Sequence, residues 1–328
     1  MNPNLIKKIN SIVTDKLAPG VSYAYLNGGE VTRHLVGDRQ WLPQREPLTP
    51  GLLYDVASLT KVMGTLTVFL QAMAAGQVQL EERIQEFVPE FTQPTTFRQA
   101  LTHTSALEGY ITNRDQLPAP ALKHALLTQL QTTAEVDRQV VYRDVNLLLV
   151  GWALENIYHQ AIQPLITEKV LRPLALPNAT FAPDSKLAVP TTFDQNGLRQ
   201  GVVHDPKSAI LGEHSGAAGL FASLDDFIVF TQYLFGQRQN ASFPRWYQQA
   251  PRDYTAGLGR SLGWDLRTYH NTPWFYHTGF TGTFWLVQPQ AQQALIVLSN
   301  RVHPQVNREF LARRNEIVQM TLESASMM

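Results

Sequence analysis

The 328-residue chain contains no cysteine. This absence excludes disulfide bonds, a thiolate nucleophile and cysteine-ligated metals. The sequence also lacks a charge imbalance, because 27 lysines and arginines are matched by 27 aspartates and glutamates. A balanced chain without a basic run offers no electrostatic footprint for nucleic acid or for an anionic membrane. We therefore expect neither of them as a partner.

A long apolar segment is missing as well. Residues 1–10 carry two lysines where a signal peptide needs continuous apolar residues. No later run approaches the roughly 18 apolar residues of a membrane span. We therefore expect a soluble, cytoplasmic protein without a membrane span, unless an export signal has been removed ahead of residue 1. These features do not specify the oligomeric state.

Hydrophobic spacing outlines the fold. Residues 4–17 have apolar side chains at helical spacing, and residues 21–26 and 31–37 flank a glycine-rich turn, which is typical of a β-hairpin. Residues 79–190 favour helices punctuated by proline, whereas the C-terminal part favours strands followed by a closing helix over 306–322. The arrangement predicts an α/β (α+β) fold, with one antiparallel sheet assembled from both chain ends and helices on its faces.

Two closely joined parts are expected from this outline. Residues 1–62 and 191–328 would form the sheet domain, and residues 63–190 an all-helical subdomain. A buried helix is predicted over residues 58–75, which are apolar and free of proline.

Ser58 and Lys61 form the most informative local pattern, Ser-x-x-Lys. Residues three apart lie on the same face of a helix, so a helix starting at Ser58 brings the lysine ammonium beside the serine hydroxyl. The positive end of the helix dipole points at the same hydroxyl. A serine in this setting can act as a nucleophile near neutral pH.

Two further segments carry chemistry. Tyr142 and Asp144 stand in a Tyr-Arg-Asp triplet ahead of an apolar helical run, which places a phenol at a loop-to-helix junction. His277, Thr278 and Gly279 end a predicted strand, where glycine lets the backbone come close to a ligand.

In this order and with this wide spacing, the three motifs resemble Ser-x-x-Lys, Tyr-x-Asn and Lys/His-Thr/Ser-Gly of the serine β-lactamase and penicillin-binding-protein superfamily. The resemblance is to the branch of class C β-lactamases, D-alanyl-D-alanine carboxypeptidases and related esterases, and it covers roughly residues 18–303. Further segments similar to that branch are residues 101–105, 173–176, 218–221 and 298–301.

The resemblance implies a role for each matching residue. Ser58 is the acylated nucleophile, Lys61 the adjacent base or proton relay, and Tyr142 the group that moves the proton between Ser58 and the leaving group. The backbone N–H groups of Ser58 and Phe280 would form the oxyanion hole.

The remaining implied contacts concern the substrate. Asp144, His277, Thr278 and Gly279 would line the pocket. Independently of the resemblance, the aromatic residues of the predicted strands are expected in the sheet core and pocket wall, and Trp285 is the one expected to touch the substrate. No metal and no organic cofactor is implied. The partner is a small ester, amide or peptide.

Two residues depart from the family's pattern. Asp144 stands where an asparagine is more common, so an anion replaces a neutral amide, and we expect Lys61 to hold its proton more firmly and β-lactams to bind less well. His277 stands where most β-lactamases have a lysine, although some carboxypeptidases of the branch also have histidine.

Three other motifs in the sequence compete with this interpretation. Residues 259–263 match Gly-x-Ser-x-Gly, but they lead into a strand-like segment rather than from a strand into a helix, so Ser261 is not expected to be the nucleophile. The His-Asp pair at 204–205 and the Glu-His pair at 213–214 lack the spacing of a zinc hydrolase and are interpreted as hydrogen-bonding loop residues.

We therefore predict a serine hydrolase that works through an acyl-enzyme, of the carboxylesterase type, on a small ester or amide. A D-alanyl-D-alanine carboxypeptidase or a class C β-lactamase is the alternative. A binding protein for penicillin or peptidoglycan fragments that lacks catalysis is a further alternative.

Overall fold

The structure is a computed structural model that describes residues 1–325. Its centre is a seven-stranded sheet in which all neighbouring strands are antiparallel. The strands are β1 Gly20–Asn27, β2 Glu30–Gln40, β3 Glu46–Pro47, β4 Asp265–Tyr269, β5 Thr272–Thr278, β6 Phe284–Gln288 and β7 Gln293–Ser299. Their spatial order is β4-β5-β6-β7-β1-β2-β3. The predicted antiparallel sheet built from both chain ends is confirmed.

Helices cover the sheet and fill the middle of the chain. Within the described residues, the α-helices are α1 Pro3–Thr14, α2 Leu66–Ala74, α3 Phe97–Thr102, α4 Ala119–Thr128, α5 Val145–Tyr158, α6 Ile162–Ile166, α7 Pro206–Leu211, α8 Leu224–Leu234 and α9 Phe310–Ala325. Short ladders pair Tyr54–Asp55 with Phe221–Ala222, Leu107–Glu108 with Gln131–Thr132, and Phe193–Asp194 with Gly197–Leu198. None of the helices in the described part of the chain combines the length and the apolar character that crossing a bilayer requires.

Alternate side chains of the sheet enter two different cores. Tyr23 and Tyr25 of β1 pack with residues of α1 and α9 on one face. Ala24 and Leu26 pack on the other face, with α8 and the helical middle of the chain. Because successive side chains of a strand point to opposite faces, this pattern buries the sheet on both sides.

The first helix shows how local sequence sets an element. Leu5, Ile9 and Ile12 are buried on one side of α1, at the spacing of an amphipathic helix. The helix ends at Thr14, and Lys16 follows with a φ of 55°. A left-handed residue cannot continue the helix, so the helix predicted over 4–17 is shorter than expected at its C-terminal end.

The helix predicted over residues 58–75 has two parts. Ala57, with a φ of 47°, turns the chain just before it. Lys61–Thr65 forms a π-helical turn, and α2 follows without a break. Such π turns occur mostly inside α-helices and often at functional sites.

The division into a sheet domain and a helical subdomain stays a prediction. The middle of the chain is not purely helical, because Leu107–Glu108 pairs with Gln131–Thr132. Phe69 of α2 and Trp285 of β6 belong to one continuous core. The helical part therefore packs directly on the sheet, and the predicted motifs meet where the two join.

Candidate active site

Ser58 and Lys61 meet as the sequence predicts. Lys61 Nζ donates to Ser58 Oγ at 2.8 Å. The same ammonium donates to Asp144 Oδ1 and to the carbonyl oxygen of Ala217, each at 2.8 Å. All three of its protons therefore have an acceptor. Ser58 is partly exposed, whereas Lys61 is fully buried, so the hydroxyl is open to a substrate and the lysine is not.

The surroundings keep Lys61 charged. Burial by itself would lower the pKa of its ammonium, but attraction by the Asp144 carboxylate and by Tyr142 outweighs burial and raises that pKa above its usual value. At neutral pH the resting enzyme therefore contains a lysine cation against the Ser58 hydroxyl, in agreement with the expected effect of Asp144.

Asp144 also has a second cationic partner. Lys207 Nζ, near the start of α7, lies 3.0 Å from Asp144 Oδ2 and 3.1 Å from Asp205 Oδ2. Burial would raise the pKa of the Asp144 carboxyl, but the charges of Lys61 and Lys207 outweigh burial and lower it well below its usual value. Residue 144 is therefore an anion held between two ammonium groups.

Tyr142 lies beside the cluster of Ser58, Lys61 and Asp144. The residue is 46% exposed. The ring centre lies 5.3 Å from Lys61 Nζ and 4.4 Å from the ring centre of His103. The phenol is thus accessible from solvent and close to the Ser58–Lys61 pair, the place that a proton shuttle needs.

His103 packs against the Tyr142 ring from the protein interior. Its imidazole is fully buried beyond the end of α3, and its Nδ1 lies 3.1 Å from Asn146 Nδ2 and 3.4 Å from the N–H of Arg143. Burial, together with the charges of Arg260 and Lys61, lowers the pKa of His103 well below its usual value. The ring is therefore neutral and acts as a packing and hydrogen-bonding support.

The candidate oxyanion hole lies at the end of β5. Within residues 1–325, the backbone N–H groups of Ser58 and Phe280 have no hydrogen-bond acceptor, so both are available to a substrate oxygen. Arg301 Nε donates to the Phe280 carbonyl oxygen at 2.8 Å, which fixes this peptide unit. Phe280 is 54% exposed, and its ring contacts both the Arg301 guanidinium and the His204 ring.

Gly279 lets the end of β5 lie against the loop before Ser58. Its N–H donates to the Thr283 carbonyl oxygen at 2.7 Å. A Cβ at this position would stand 2.2 Å from Thr283 Oγ1 and 2.5 Å from the Val56 carbonyl oxygen. Real Cβ atoms do not approach that closely, so glycine is required for the close contact between strand and loop.

His277 is nearly buried beside the site. Its Nδ1 lies 3.1 Å from the Thr278 carbonyl oxygen, and its ring contacts that of Trp264 edge to face at 6.2 Å. Burial lowers the pKa of His277 well below its usual value, and the charges of Lys61 and Arg260 lower it further. This strand therefore presents a neutral imidazole where a family member with lysine presents a cation.

Trp285 is in the core and not in the pocket. Its residue exposure is 0%, and its ring packs edge to face on Phe227, Phe230 and Trp264. Trp285 pairs with His277 across β5 and β6, so both side chains lie on the same face of the sheet, and there Phe227 and Phe230 of α8 cover Trp285. The expectation that Trp285 touches the substrate is therefore incompatible with its position.

Ser261 is not placed as a nucleophile. It is fully buried and lies in a loop that leads into β4 rather than between a strand and a helix. The His-Asp pair at 204–205 and the Glu-His pair at 213–214 form hydrogen bonds within the protein. Asp205 accepts from the Ser208 N–H at the start of α7, and His214 Nδ1 lies 2.9 Å from a Glu155 oxygen.

A cavity of about 570 Å³ opens beside the cluster. Its walls include Tyr142, Asp144 and Lys207 on the catalytic side and Tyr110 and Arg114 on the opposite side. Its volume falls within the range of pockets that bind small molecules, so the cavity can hold a side group of a small substrate.

Three residues of the site were not predicted as functional: Lys207, His103 and Arg260. Lys207 is 63 positions from Asp144 in sequence, and no local pattern connects them. His103 lies in the quoted segment 101–105, so the resemblance contained a signal for it. Arg260 is 7% exposed, and its Nε and Nη2 have no partner among the described residues.

Comparisons with known proteins agree with this geometry. A relative from Escherichia coli (strain K12), provisionally named a D-alanyl-D-alanine carboxypeptidase, is 28% identical over 311 residues, which cover 79% of this chain and 71% of the relative. A solved class C β-lactamase superposes with a TM-score of 0.79 at 16% identity, covering 98% of this chain and 96% of that one. A β-lactamase/D-alanine carboxypeptidase from Yersinia pestis, solved with citrate, superposes with a TM-score of 0.76 at 17% identity, covering 97% and 98%.

The two solved structures share the fold at low identity, whereas the family model reaches across nearly the whole chain. It matches residues 7–319, a range that contains the Ser58–Lys61 pair, Tyr142 and the end of β5. The chain is therefore a member of the β-lactamase family of serine hydrolases.

Proposed function

We propose that this serine hydrolase acts on small esters in preference to amides and β-lactams. The observation that carries the proposal is the Asp144 carboxylate, whose two oxygens are already engaged by Lys61 and Lys207. An ionised carboxylate has no N–H to donate. A substrate that needs a hydrogen-bond donor at this position for an amide carbonyl oxygen does not find one there, whereas a simple ester needs none.

The proposed reaction has two stages, acylation of Ser58 by the ester and hydrolysis of the acyl-enzyme by water. The relay of Lys61 and Tyr142 must first give one proton to solvent. Ser58 Oγ then attacks the ester carbonyl carbon while its proton passes to the deprotonated relay, and the N–H groups of Ser58 and Phe280 hold the developing oxyanion. Collapse of the tetrahedral intermediate breaks the bond to the alcohol, which leaves with a proton from Tyr142. Water then attacks the acyl-enzyme carbonyl and releases the acid and Ser58 by the same route.

A second candidate is hydrolysis of a peptide that ends in a carboxylate, the activity named for the relatives. Arg260 favours it, because a buried guanidinium with two free nitrogens lies close enough to lower the pKa of His277 and to interact with Tyr142. Its Nη1 lies 4.0 Å from Asp265 Oδ1, and a carboxylate substrate would give the two unpaired nitrogens, Nε and Nη2, a charged partner as well.

The experiment compares three substrate classes on one preparation. Turnover of p-nitrophenyl esters, release of D-alanine from a D-alanyl-D-alanine peptide and labelling by a fluorescent penicillin are measured, with mass spectrometry of the intact protein. Ester turnover that exceeds the other two rates supports the proposal. Faster release of D-alanine selects the second candidate, and a stable penicillin adduct without turnover of any substrate refutes both in favour of a binding protein.

Asp144→Asn tests the observation that carries the proposal. The substitution supplies an N–H donor and removes an anion, so the ratio of penicillin acylation to ester turnover should rise. The ratio cancels any general loss of folded protein. If penicillin acylation slows as much as ester hydrolysis or more, Asp144 supports the cluster structurally and the preference for esters has another cause.

A further inference from the structure

Lys207 connects α7 to the catalytic cluster. Its side chain is 14% exposed, and its ammonium bridges the carboxylates of Asp144 and Asp205 at 3.0 and 3.1 Å. Asp205 is itself fixed, because its other oxygen accepts from the Ser208 N–H at 2.8 Å. The ammonium is therefore held against residue 144 from a rigid helix start, with little freedom to move away.

The position of this cation has an electrostatic consequence for Lys61. A lone carboxylate 2.8 Å from Lys61 Nζ favours the ammonium form, which cannot take the Ser58 proton. A second cation on the far oxygen of the same carboxylate opposes that effect, because its positive charge partly offsets the negative charges of Asp144 and Asp205.

We propose that Lys207 is a positioning residue for the acyl-transfer reaction, holding the Asp144 carboxylate and offsetting its charge so that Lys61 can exchange a proton with Ser58. The inference rests on the proposed function in one respect only, the role of Ser58 as nucleophile. Lys207 does not touch Ser58 and acts through Asp144.

Other groups around Lys61 do not provide this balance. The titratable or charged groups that face the cluster from the surrounding elements are Tyr142 before α5, His103 after α3, His277 of β5, Arg260 before β4 and Asp205 at α7. From the opposite wall of the cavity, Arg114 interacts with Asp144 and Asp205, and Asp115 interacts with Lys207. Arg114 and Asp115 pair with each other at 2.8 Å, so their charges largely cancel at the cluster. Both histidines are kept neutral by pKa values well below the usual range. Asp205 shares Lys207 with Asp144, and Arg260 lies close enough to affect both histidines but forms no ion pair with Asp144.

The test measures how fast Ser58 is labelled by a fluorophosphonate as a function of pH. In this reaction Ser58 Oγ bonds to phosphorus, fluoride leaves and the serine proton goes to the relay, so no natural substrate is required. Lys207→Met removes the cation and should shift the rising limb of the profile by about one unit to higher pH. Where the limb is rising, the same shift slows labelling about tenfold.

The double variant makes the test specific. Asp144→Asn alone removes the anion and should shift the limb to lower pH. In the Asp144→Asn background, Lys207→Met should shift the limb by clearly less than it does in the wild type, because Lys207 acts through Asp144 and contacting residues are coupled. Lys207→Arg keeps the charge and should keep the wild-type profile.

Lys7, an exposed lysine of α1, provides the matched control. Lys7→Met should leave the profile unchanged. A Lys207→Met profile that coincides with the wild type, or a Lys207→Met shift that is as large in the Asp144→Asn background as in the wild type, overturns the inference. Labelling of a serine other than Ser58 in the wild type overturns the proposed function instead.

Discussion

Gly279→Ala should uncouple the oxyanion hole from the nucleophile while leaving every catalytic side chain in place. The added Cβ would stand 2.2 Å from Thr283 Oγ1, which a turn of that side chain can relieve, and 2.5 Å from the Val56 carbonyl oxygen, which belongs to the backbone; real Cβ atoms essentially never come within 3.0 Å. The difference, 3.0 minus 2.5, means that strand and loop must separate by at least about 0.5 Å. Val56 lies two residues before Ser58, and Phe280 follows Gly279 directly, so the separation moves both oxyanion N–H groups apart.

The expected magnitude follows from this displacement. A misplacement of about 1 Å in a catalytic arrangement costs about 10²-fold in rate, so we expect kcat for p-nitrophenyl acetate to fall between about 10- and 100-fold. Overpacking of this kind also destabilises a protein by about 1–3 kcal/mol, which a thermal melt will detect.

Gly29→Ala is the matched control, because a Cβ at Gly29 meets nothing within 4 Å. Rates are normalised to the fraction of Ser58 that the fluorophosphonate labels at completion, so that loss of folded protein does not count as loss of catalysis. If Gly279→Ala retains the wild-type kcat and melting temperature, the end of β5 does not lie as close to the loop before Ser58 as the structure indicates. The placement of the oxyanion hole is then refuted as well.

Three further substitutions test the nucleophile, the proton shuttle and a buried acid. Ser58→Ala should abolish ester turnover and every covalent adduct in mass spectra, whereas Ser261→Ala should leave both largely intact; an inactive Ser261 variant would mean that the assignment of the motifs is wrong. Tyr142→Phe keeps the ring against His103 but removes the acid/base group, so kcat should fall by about 10²–10⁴, and an unchanged kcat removes the phenol from the mechanism. Burial raises the pKa of Asp55 to about 6, above the roughly 3.9 of an unfolded chain. The stability that its protonated form contributes is fully present below about pH 4 and is lost as the pH rises through about 6. Between pH 5 and 7.5 the free energy of unfolding of Asp55→Asn should therefore gain about 1 kcal/mol relative to the wild type in urea titrations; a constant difference across this range would show that Asp55 is already ionised at pH 5.

The sequence allowed the nucleophile pair to be predicted because its geometry is local. Ser58 and Lys61 are three residues apart, and helical spacing alone brings them together. The hairpin of β1 and β2 was predictable for the same reason, since a glycine-rich turn and alternating side chains lie within 21 residues of each other. The placement of Tyr142 and Phe280 depended on the resemblance to the family.

The features that were missed depend on contacts between distant segments. Lys207 reaches Asp144 across 63 positions, and nothing in residues near either one indicates the pair. Trp285 was expected to touch the substrate, although most aromatic residues of these strands were expected in the core and pocket wall. The register of β6 against β5 puts Trp285 on the same face as His277, and only the packing of α8 and Trp264 on that face shows that Trp285 is buried.

The pairing of β1 with β7 sets a limit on when the molecule can finish folding. Val21 pairs with Ser299, so the middle of the sheet joins segments made at opposite ends of translation. A nascent chain can form the β1–β2 hairpin and the helices of the middle region early, but β1 keeps one edge unpaired until β7 has left the ribosome. Contacts of such long sequence separation form slowly, and an unpaired strand edge is a site of aggregation. Production of active protein should therefore depend on translation speed and on chaperones more strongly than the stability of the finished fold suggests.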